Sequence, residues 1–248
     1  MNIVLVHPEE AVDAARTRFV LSDRRAAHLR EVLEVGVGDE VRVGLRDGLL
    51  GAAEVVASHP AGVELTCRWS APAPAPWLDL VLAIPRPKQL KRLLPQIAAF
   101  GLRRLTFLRT WRVQLPYLSS PMLGPPGYGP LFEEGLMQAG RTAWPEVRRF
   151  DRFEAFCADA AGSPDGGGTR LLADPRADDD LAARTTPLRA PVELVIGPEG
   201  GLLPYEVERL ANAGFAPVRA GPSILRTDTA CVAIAAQLDL LIRRSVPD

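Results

Sequence analysis

The sequence predicts an α/β protein in two parts, a small antiparallel β-barrel followed by a larger unit built on a mainly parallel sheet. Three observations predict it. Before residue 70, short apolar-rich runs alternate with Gly/Asp turns, as in an antiparallel barrel. After residue 76 the rhythm becomes strand, helix, strand, with strands apolar throughout, which marks a parallel sheet covered on both faces. Between the two lies 70–76, Ser-Ala-Pro-Ala-Pro-Ala-Pro. Alternating Ala-Pro joins neither a helix nor a central strand and runs extended as a stiff spacer. The expected domains are therefore a barrel over 1–70, a linker over 71–76 and an α/β domain over 77–248.

Each element follows from its local pattern. Runs 40–43, 52–56 and 63–67 alternate as half-buried strands, with Arg46-Asp47-Gly48 as a turn between the first two. One helical segment, 24–33, interrupts them. Past the linker, 80–84 is a buried strand, 90–100 a helix that tolerates Pro95 and stops at Gly101, and 105–108 the next strand. Two further strands are expected at 171–173 and 192–196. A helix begins near Pro204, a short strand covers 217–220, and an apolar helix runs over 230–244. Two stretches, 119–130 and 162–168, show no period; the first is long and Gly/Pro-rich and reads as a functional loop. There is no internal repeat.

Composition bounds the class. With 248 residues, 47% hydrophobic and 24% charged, the chain matches ordinary globular proteins and is long enough to bury a sizeable core. No apolar run approaches the roughly 20 residues that span a bilayer, and the start, Met1-Asn2-Ile3-Val4, lacks signal-peptide features. Cys67, Cys157 and Cys231 are odd in number and far apart, which argues against a disulfide framework or a zinc site and fits a cytoplasmic protein. Net charge is -1, unpromising for a nucleic-acid partner, but the distribution reverses that. Residues 80–132 hold no Asp or Glu and eight basic residues: Arg86, Lys88, Lys91, Arg92, Arg103, Arg104, Arg109 and Arg112. A one-signed window in an otherwise acidic chain is the footprint of a phosphate-backbone contact; the competing reading is a solvated face.

Two motifs carry chemistry. In Leu194-Val195-Ile196-Gly197-Pro198-Glu199-Gly200-Gly201, a buried strand ends in a glycine-rich turn just before a helix. Such a turn lets a ligand approach backbone amides, and a helix N-terminus adds unpaired N–H groups. It is neither a Walker loop nor a dinucleotide fingerprint. The second motif, Ala220-Gly221-Pro222-Ser223-Ile224-Leu225-Arg226-Thr227-Asp228-Thr229-Ala230, links a short strand to the last helix. Thr227 or Asp228 suits the start of that helix, and Arg243 and Arg244 suit its end.

Together the loops resemble those of the family that methylates N3 of a uridine in 16S ribosomal RNA, S-adenosylmethionine-dependent enzymes of the SPOUT class. The N-terminal segments His28-Leu29-Arg30-Glu31-Val32-Leu33, Gly38-Asp39-Glu40-Val41 and Asp47-Gly48 are similar to that family's PUA-like RNA-binding barrel. The resemblance implies a C-terminal trefoil knot, a homodimer and a small-subunit RNA substrate. It implies that Leu172, Ala173, Ile196, Gly197, Gly200, Gly201, Gly221, Ile224, Leu225 and Arg226 line the cofactor, with Asp174 in the loop that closes over the adenosine. Arg226 is then the residue closest to the chemistry, and the proton acceptor is water or a carboxylate, with Glu199 and Asp228 as the nearby candidates. Arg86, Lys88, Lys91, Arg103, Arg104, Arg112, Arg141, His28 and Arg30 are the expected RNA contacts, and no metal is needed. The chain departs from the family at Ala99, at Met137 (where Gln138 and Arg141 persist) and at Leu203-Pro204, which replaces a capping Ser.

Three classes compete. A methyltransferase explains both loops, the barrel and the basic window. An RNA-binding module with a vestigial cofactor site leaves the glycine loops idle. A phosphate-binding transferase or hydrolase explains one loop but lacks a neighbouring Lys and a Ser/His/Asp set. A SPOUT enzyme acting on a different nucleotide stays open within the first class. Trp69 and Trp77 read as packing anchors, and Trp111, inside the basic window, is the better candidate for base stacking.

Overall fold

The computed structural model describes residues 2–162, 168–184 and 186–245. Of the aperiodic stretch expected over 162–168, residues 163–167 lie outside the described residues. The chain divides into two compact units, one formed by Met1–Ala75 with Glu133–Trp144, the other by Pro76–Phe132 with Pro145–Asp248.

The first unit contains β1 (Val4–Val6), β2 (Arg18–Leu21), α1 (Arg24–Glu31), β3 (Glu40–Leu45), β4 (Leu49–His59) and β5 (Gly62–Pro72). Alternation sets its faces. Phe19 and Leu21 of β2 and Val63, Leu65 and Cys67 of β5 point inward, joining Val4, Val6, Leu29, Val43 and Val55 in one core. The strand order is β1-β3-β4-β5-β2. The pairing corrects the expectation of an antiparallel barrel in two respects: β1 and β3 run parallel, and β1 and β2 stand at opposite ends of the strand order. Both strands are too short, at three and four residues, for alternation to register in the sequence. Residues 71 and 72, expected as linker, continue β5, where Pro72 lies opposite Leu49 at the strand end, a position a proline tolerates.

The sequence assigns residues Glu133–Trp144 to the second part; the structure places them in the first. The Asn2 and Ile3 N–H groups donate to the Met137 carbonyl, both at 3.1 Å. Glu133 accepts from His7 Nε2 at 2.9 Å and pairs closely with Arg24. Arg25, buried, donates to the Leu5 carbonyl at 2.6 Å and pairs with Glu10 and Asp23. A buried cation is tolerable only when so satisfied.

In the second unit the elements are β6 (Leu78–Ala83), α2 (Pro87–Ala99), β7 (Leu102–Leu108), α3 (Pro125–Ala139, whose later turns are counted in the first unit), β8 (Glu146–Phe150), α4 (Phe153–Gly162), β9 (Thr169–Ala173), β10 (Val192–Ile196), α5 (Pro204–Asn212), β11 (Ala216–Val218) and α6 (Thr227–Ser245). Every residue of β6 is buried, as a strand covered on both faces requires. Pro95 removes one backbone hydrogen bond from α2. The helix continues because Leu90, Leu93, Leu94, Ile97 and Ala98 are buried on both sides of it, and it ends at Gly101, with φ +82°. The stretch 119–130 is not all loop. From Pro125 it is the start of α3, since a proline is acceptable in a first helical turn, and Gly127 packs with no room for a Cβ against the Pro121 carbonyl.

All neighbouring strands of this sheet pair in parallel, in the order β11-β9-β10-β6-β7-β8. The chain builds outward from β6 through β7 to β8, then returns through α4 to the other side of β6 for β9, β10 and β11. The strand order therefore reverses at β6/β10. In open α/β sheets the crevice beyond the carboxyl ends of the strands at such a reversal is where ligands bind.

Candidate functional site

A cavity of about 770 Å³ lies beyond the carboxyl ends of β9, β10 and β11, within the size range of small-molecule sites. Ala173, Ile196 and Val218, the last residues of those strands, reach its wall. Both glycine loops line it, through Gly197, Gly200, Gly201 and Gly221, together with Ile224, Leu225 and Arg226. Of the residues expected at the cofactor, only Leu172 is absent from the wall; it is fully buried in the core beneath, with Val81 and Val195. Gly201 (φ +72°) and Gly221 (φ +120°) hold left-handed backbone, a conformation costly for any residue with a Cβ.

The loops are tied together by Glu206, Arg112 and Thr227, of which Glu206 stands in neither motif. Glu206 is fully buried. One of its oxygens accepts the Trp111 N–H at 2.8 Å and the other the Leu203 N–H at 2.8 Å. It thereby replaces the lost side-chain cap of α5 with half of a capping box, and it joins the loop after β7 to the loop after β10. Its position three residues past Leu203 was the available signal. Arg112 reinforces the same junction by donating to the Gly200 carbonyl, and Trp111 beside it is 76% exposed. Thr227 Oγ1 donates to the Gly197 carbonyl at 3.4 Å, tying the start of α6 to the first loop.

On the opposite wall, Asp174 accepts from the Arg176 backbone (3.0 Å), its Nε (3.0 Å) and its Nη2 (3.1 Å). Burial alone would raise the Asp174 carboxyl, but the hydrogen bonds from Arg176 outweigh it and hold the group below the ordinary carboxylate value. Arg219 pairs with Asp180 at 3.1 Å. Among the cavity's arginines this leaves Arg86, Arg112 and Arg226 without a carboxylate partner among the described residues, so the cavity carries net positive potential. Arg226 is exposed and its guanidinium meets no partner among the described residues.

The two carboxylates expected beside Arg226 differ. Glu199 lines the cavity, and its Oε1 accepts the Arg86 N–H at 3.4 Å. Asp228 is not on the wall; its Oδ2 pairs with Arg92 of α2 at 3.2 Å and its Oδ1 accepts the Thr229 N–H.

The basic window is also divided by the structure. Lys88 and Lys91 are exposed and form no ion pair among the described residues. Arg103 instead forms a two-pronged pair with the buried Asp79, and Arg104 bonds Glu146 at 2.9 Å and approaches Asp79 at 3.5 Å. The acids that neutralise these two arginines flank the window in sequence, which is why an acid-free count overstates its charge. In the first unit, Arg30 donates to the His59 carbonyl at 2.8 Å, Arg141 to the Pro74 and Ala75 carbonyls, and His28 Nε2 is buried without a hydrogen-bond partner among the described residues.

Comparison with known proteins adds the family. Residues 72–239 match the RNA methyltransferase domain family. The ribosomal RNA small subunit methyltransferase E of Treponema pallidum is 30% identical over 242 residues, 95% of this chain and 90% of that protein. Among solved structures, a ribosomal RNA small subunit methyltransferase E from Neisseria gonorrhoeae bound to S-adenosyl methionine superposes with a TM-score of 0.77 at 19% identity, covering 96% of this chain and 98% of that one. A methyltransferase from Legionella pneumophila in complex with the same cofactor superposes at 0.76 with 20% identity, covering 97% and 98%. By the family match and the full-length relative, the chain belongs to the RNA methyltransferase family that contains the ribosomal RNA small subunit methyltransferase E proteins.

Proposed function

We propose that this chain uses S-adenosylmethionine to methylate N3 of a uridine in 16S ribosomal RNA. The observation that carries the reading is the convergence on one cavity of both glycine loops and of Arg226, unpaired among the described residues. The residues present fit the cofactor. Left-handed glycines let a flat ligand approach backbone, while Ile196, Leu202, Val218, Leu225 and Ile234 supply apolar walls. Bound there, S-adenosylmethionine supplies a methyl group on a sulfonium centre.

The chain's own residues then have little to do beyond positioning and exclusion of water. Arg226 stays charged at any working pH and stabilises the negative charge that develops on uracil when N3 loses its proton. Asp228 is committed to Arg92, which leaves Glu199 on the cavity wall, or water, to take the N3 proton.

The finer architecture belongs to the same proposal. The last strand lies at the sheet edge, yet α6 returns to pack on α2 and beside β10, which supports a threaded, knotted chain. The first unit, with a core of its own, serves as the PUA-like RNA-binding module, and the second unit as the catalytic domain. Ile224 (85% exposed) and Leu240 (51%) support a homodimer that covers them. No helix among the described residues is long and apolar enough to cross a membrane, and a cytoplasmic location is proposed with the ribosomal substrate. Calorimetry with S-adenosylhomocysteine, beside light scattering, tests the reading: one ligand per chain in a dimer is expected. A folded protein that releases no binding heat would overturn it.

A further inference from the structure

The cavity holds a buried side-chain acceptor that no described residue satisfies. Gln89 stands in the first turn of α2 and lines the cavity, and its Oε1 is buried with no hydrogen-bond donor among the described residues. An unmet buried acceptor is costly, so such a group in a ligand cavity points to a ligand donor. Arg92, one turn further along α2, pairs with Asp228 in the first turn of α6. Gln89 therefore lies on the face of α2 turned toward the start of α6, where Arg226 and Thr227 stand.

Two other polar side chains of the cavity are engaged within the chain, and a third is half engaged. Asp174 takes three hydrogen bonds from Arg176, and the Thr227 hydroxyl donates to the Gly197 carbonyl. Glu199 commits one oxygen to the Arg86 N–H, which holds its carboxylate beside the N-terminal end of α2, three residues from Gln89. Its second oxygen has no partner among the described residues. The Gln89 amide oxygen and the second Glu199 oxygen, on two residues that line the same cavity and without partners among the described residues, offer two acceptors and one negative charge. The complement is a cationic group with several N–H donors. Uracil has a single N–H and no positive charge, and adenosine has no cation. The α-ammonium of an amino-acid tail has both properties.

We propose that Gln89 and Glu199 seat the α-ammonium group of the cofactor's amino-acid end, an inference that rests on the S-adenosylmethionine reading. Gln89 is then a binding residue of the tail, separate from the glycine loops that take the adenosine.

The test compares two ligands that differ only in that end, S-adenosylhomocysteine and 5′-methylthioadenosine, by calorimetry on the full chain. In the unaltered protein S-adenosylhomocysteine binds more tightly. Gln89→Leu, similar in size but without an acceptor, should weaken it about tenfold, the loss of a hydrogen bond to a charged group, and leave methylthioadenosine unchanged. Gln89→Glu, which restores an acceptor, should keep the tail-dependent preference, and a melting curve of each variant confirms its fold. Equal weakening of both ligands, or no change in either, overturns the proposal. So does a Gln89→Leu protein that binds S-adenosylhomocysteine normally but fails to methylate RNA, because Gln89 would then face the nucleotide. If the unaltered protein binds neither ligand, the cofactor reading itself has failed, and the proposal with it.

Discussion

Arg226 stands where the loop after β11 meets the first turn of α6, with an exposed guanidinium and no carboxylate partner among the described residues. An arginine so placed does nothing for stability that an alanine would not, so its role lies in what approaches it. Arg226→Ala should therefore leave melting temperature and S-adenosylhomocysteine affinity unchanged and lower methyl transfer about a hundredfold, the scale of losing one transition-state donor. Single-turnover methylation with labelled cofactor measures it, and a variant that turns over normally removes Arg226 from the mechanism. That Arg226 reaches the cavity was legible in the sequence, because the motif fixes it relative to Gly221 by covalent spacing. The sequence did not show that Asp228 faces Arg92, nor that Glu206 holds Trp111 and Leu203. Those contacts span from 95 to 136 residues where they are not local, and no local pattern encodes them.

At the scale of elements, legibility followed burial. The fully apolar strands at 80–84 and 192–196 were readable, because a parallel sheet between two helical layers leaves no polar face. The strand Glu146–Phe150 was not. It stands at the sheet edge, carries Arg148 and Arg149, and has no fully buried residue. The helix Phe153–Gly162 buries Phe153, Phe156, Cys157 and Ala160 at helical spacing, a signal present in the sequence but short. The later turns of α3 matter to the first unit through Glu133. Burial would raise that carboxyl, but hydrogen bonds from His7 and Arg24 and the charges of Arg25 and Arg24 outweigh it and bring it to about 2 from an ordinary 4.5. A carboxylate with a depressed native value contributes stability that is complete above the unfolded value and drains away as pH falls through the native one. Stability should thus decline between roughly pH 4.5 and pH 2. Glu133→Gln should be less stable than the parent at neutral pH and show a flatter acid limb in urea titrations. An unchanged acid limb would mean that the cluster around Glu133 is not holding the unit together.

For the whole molecule, a net charge of -1 conceals an uneven distribution, and the structure narrows which cations are free to meet RNA. Lys88 and Lys91 are exposed and unpaired among the described residues, whereas Arg103 and Arg104 are held by Asp79 and Glu146. Reversing Lys88 and Lys91 to Glu should weaken RNA binding and reduce the slope of log affinity against log salt by about one for each phosphate left without its lysine. Reversing Arg103 should mainly destabilise the fold, since Asp79 would be left buried beside another acid. Equal salt slopes for the parent and the lysine variant would reduce the window to a solvated face.

The most direct measurement is mass spectrometry of nucleosides from small-subunit ribosomal RNA, incubated with the purified chain and S-adenosylmethionine carrying a labelled methyl group. The expected product is labelled N3-methyluridine, formed by the parent and reduced about a hundredfold with Arg226→Ala. Label on another nucleoside, or no label at all from a protein that binds the cofactor, would contradict the assignment of uridine N3 as the methyl acceptor.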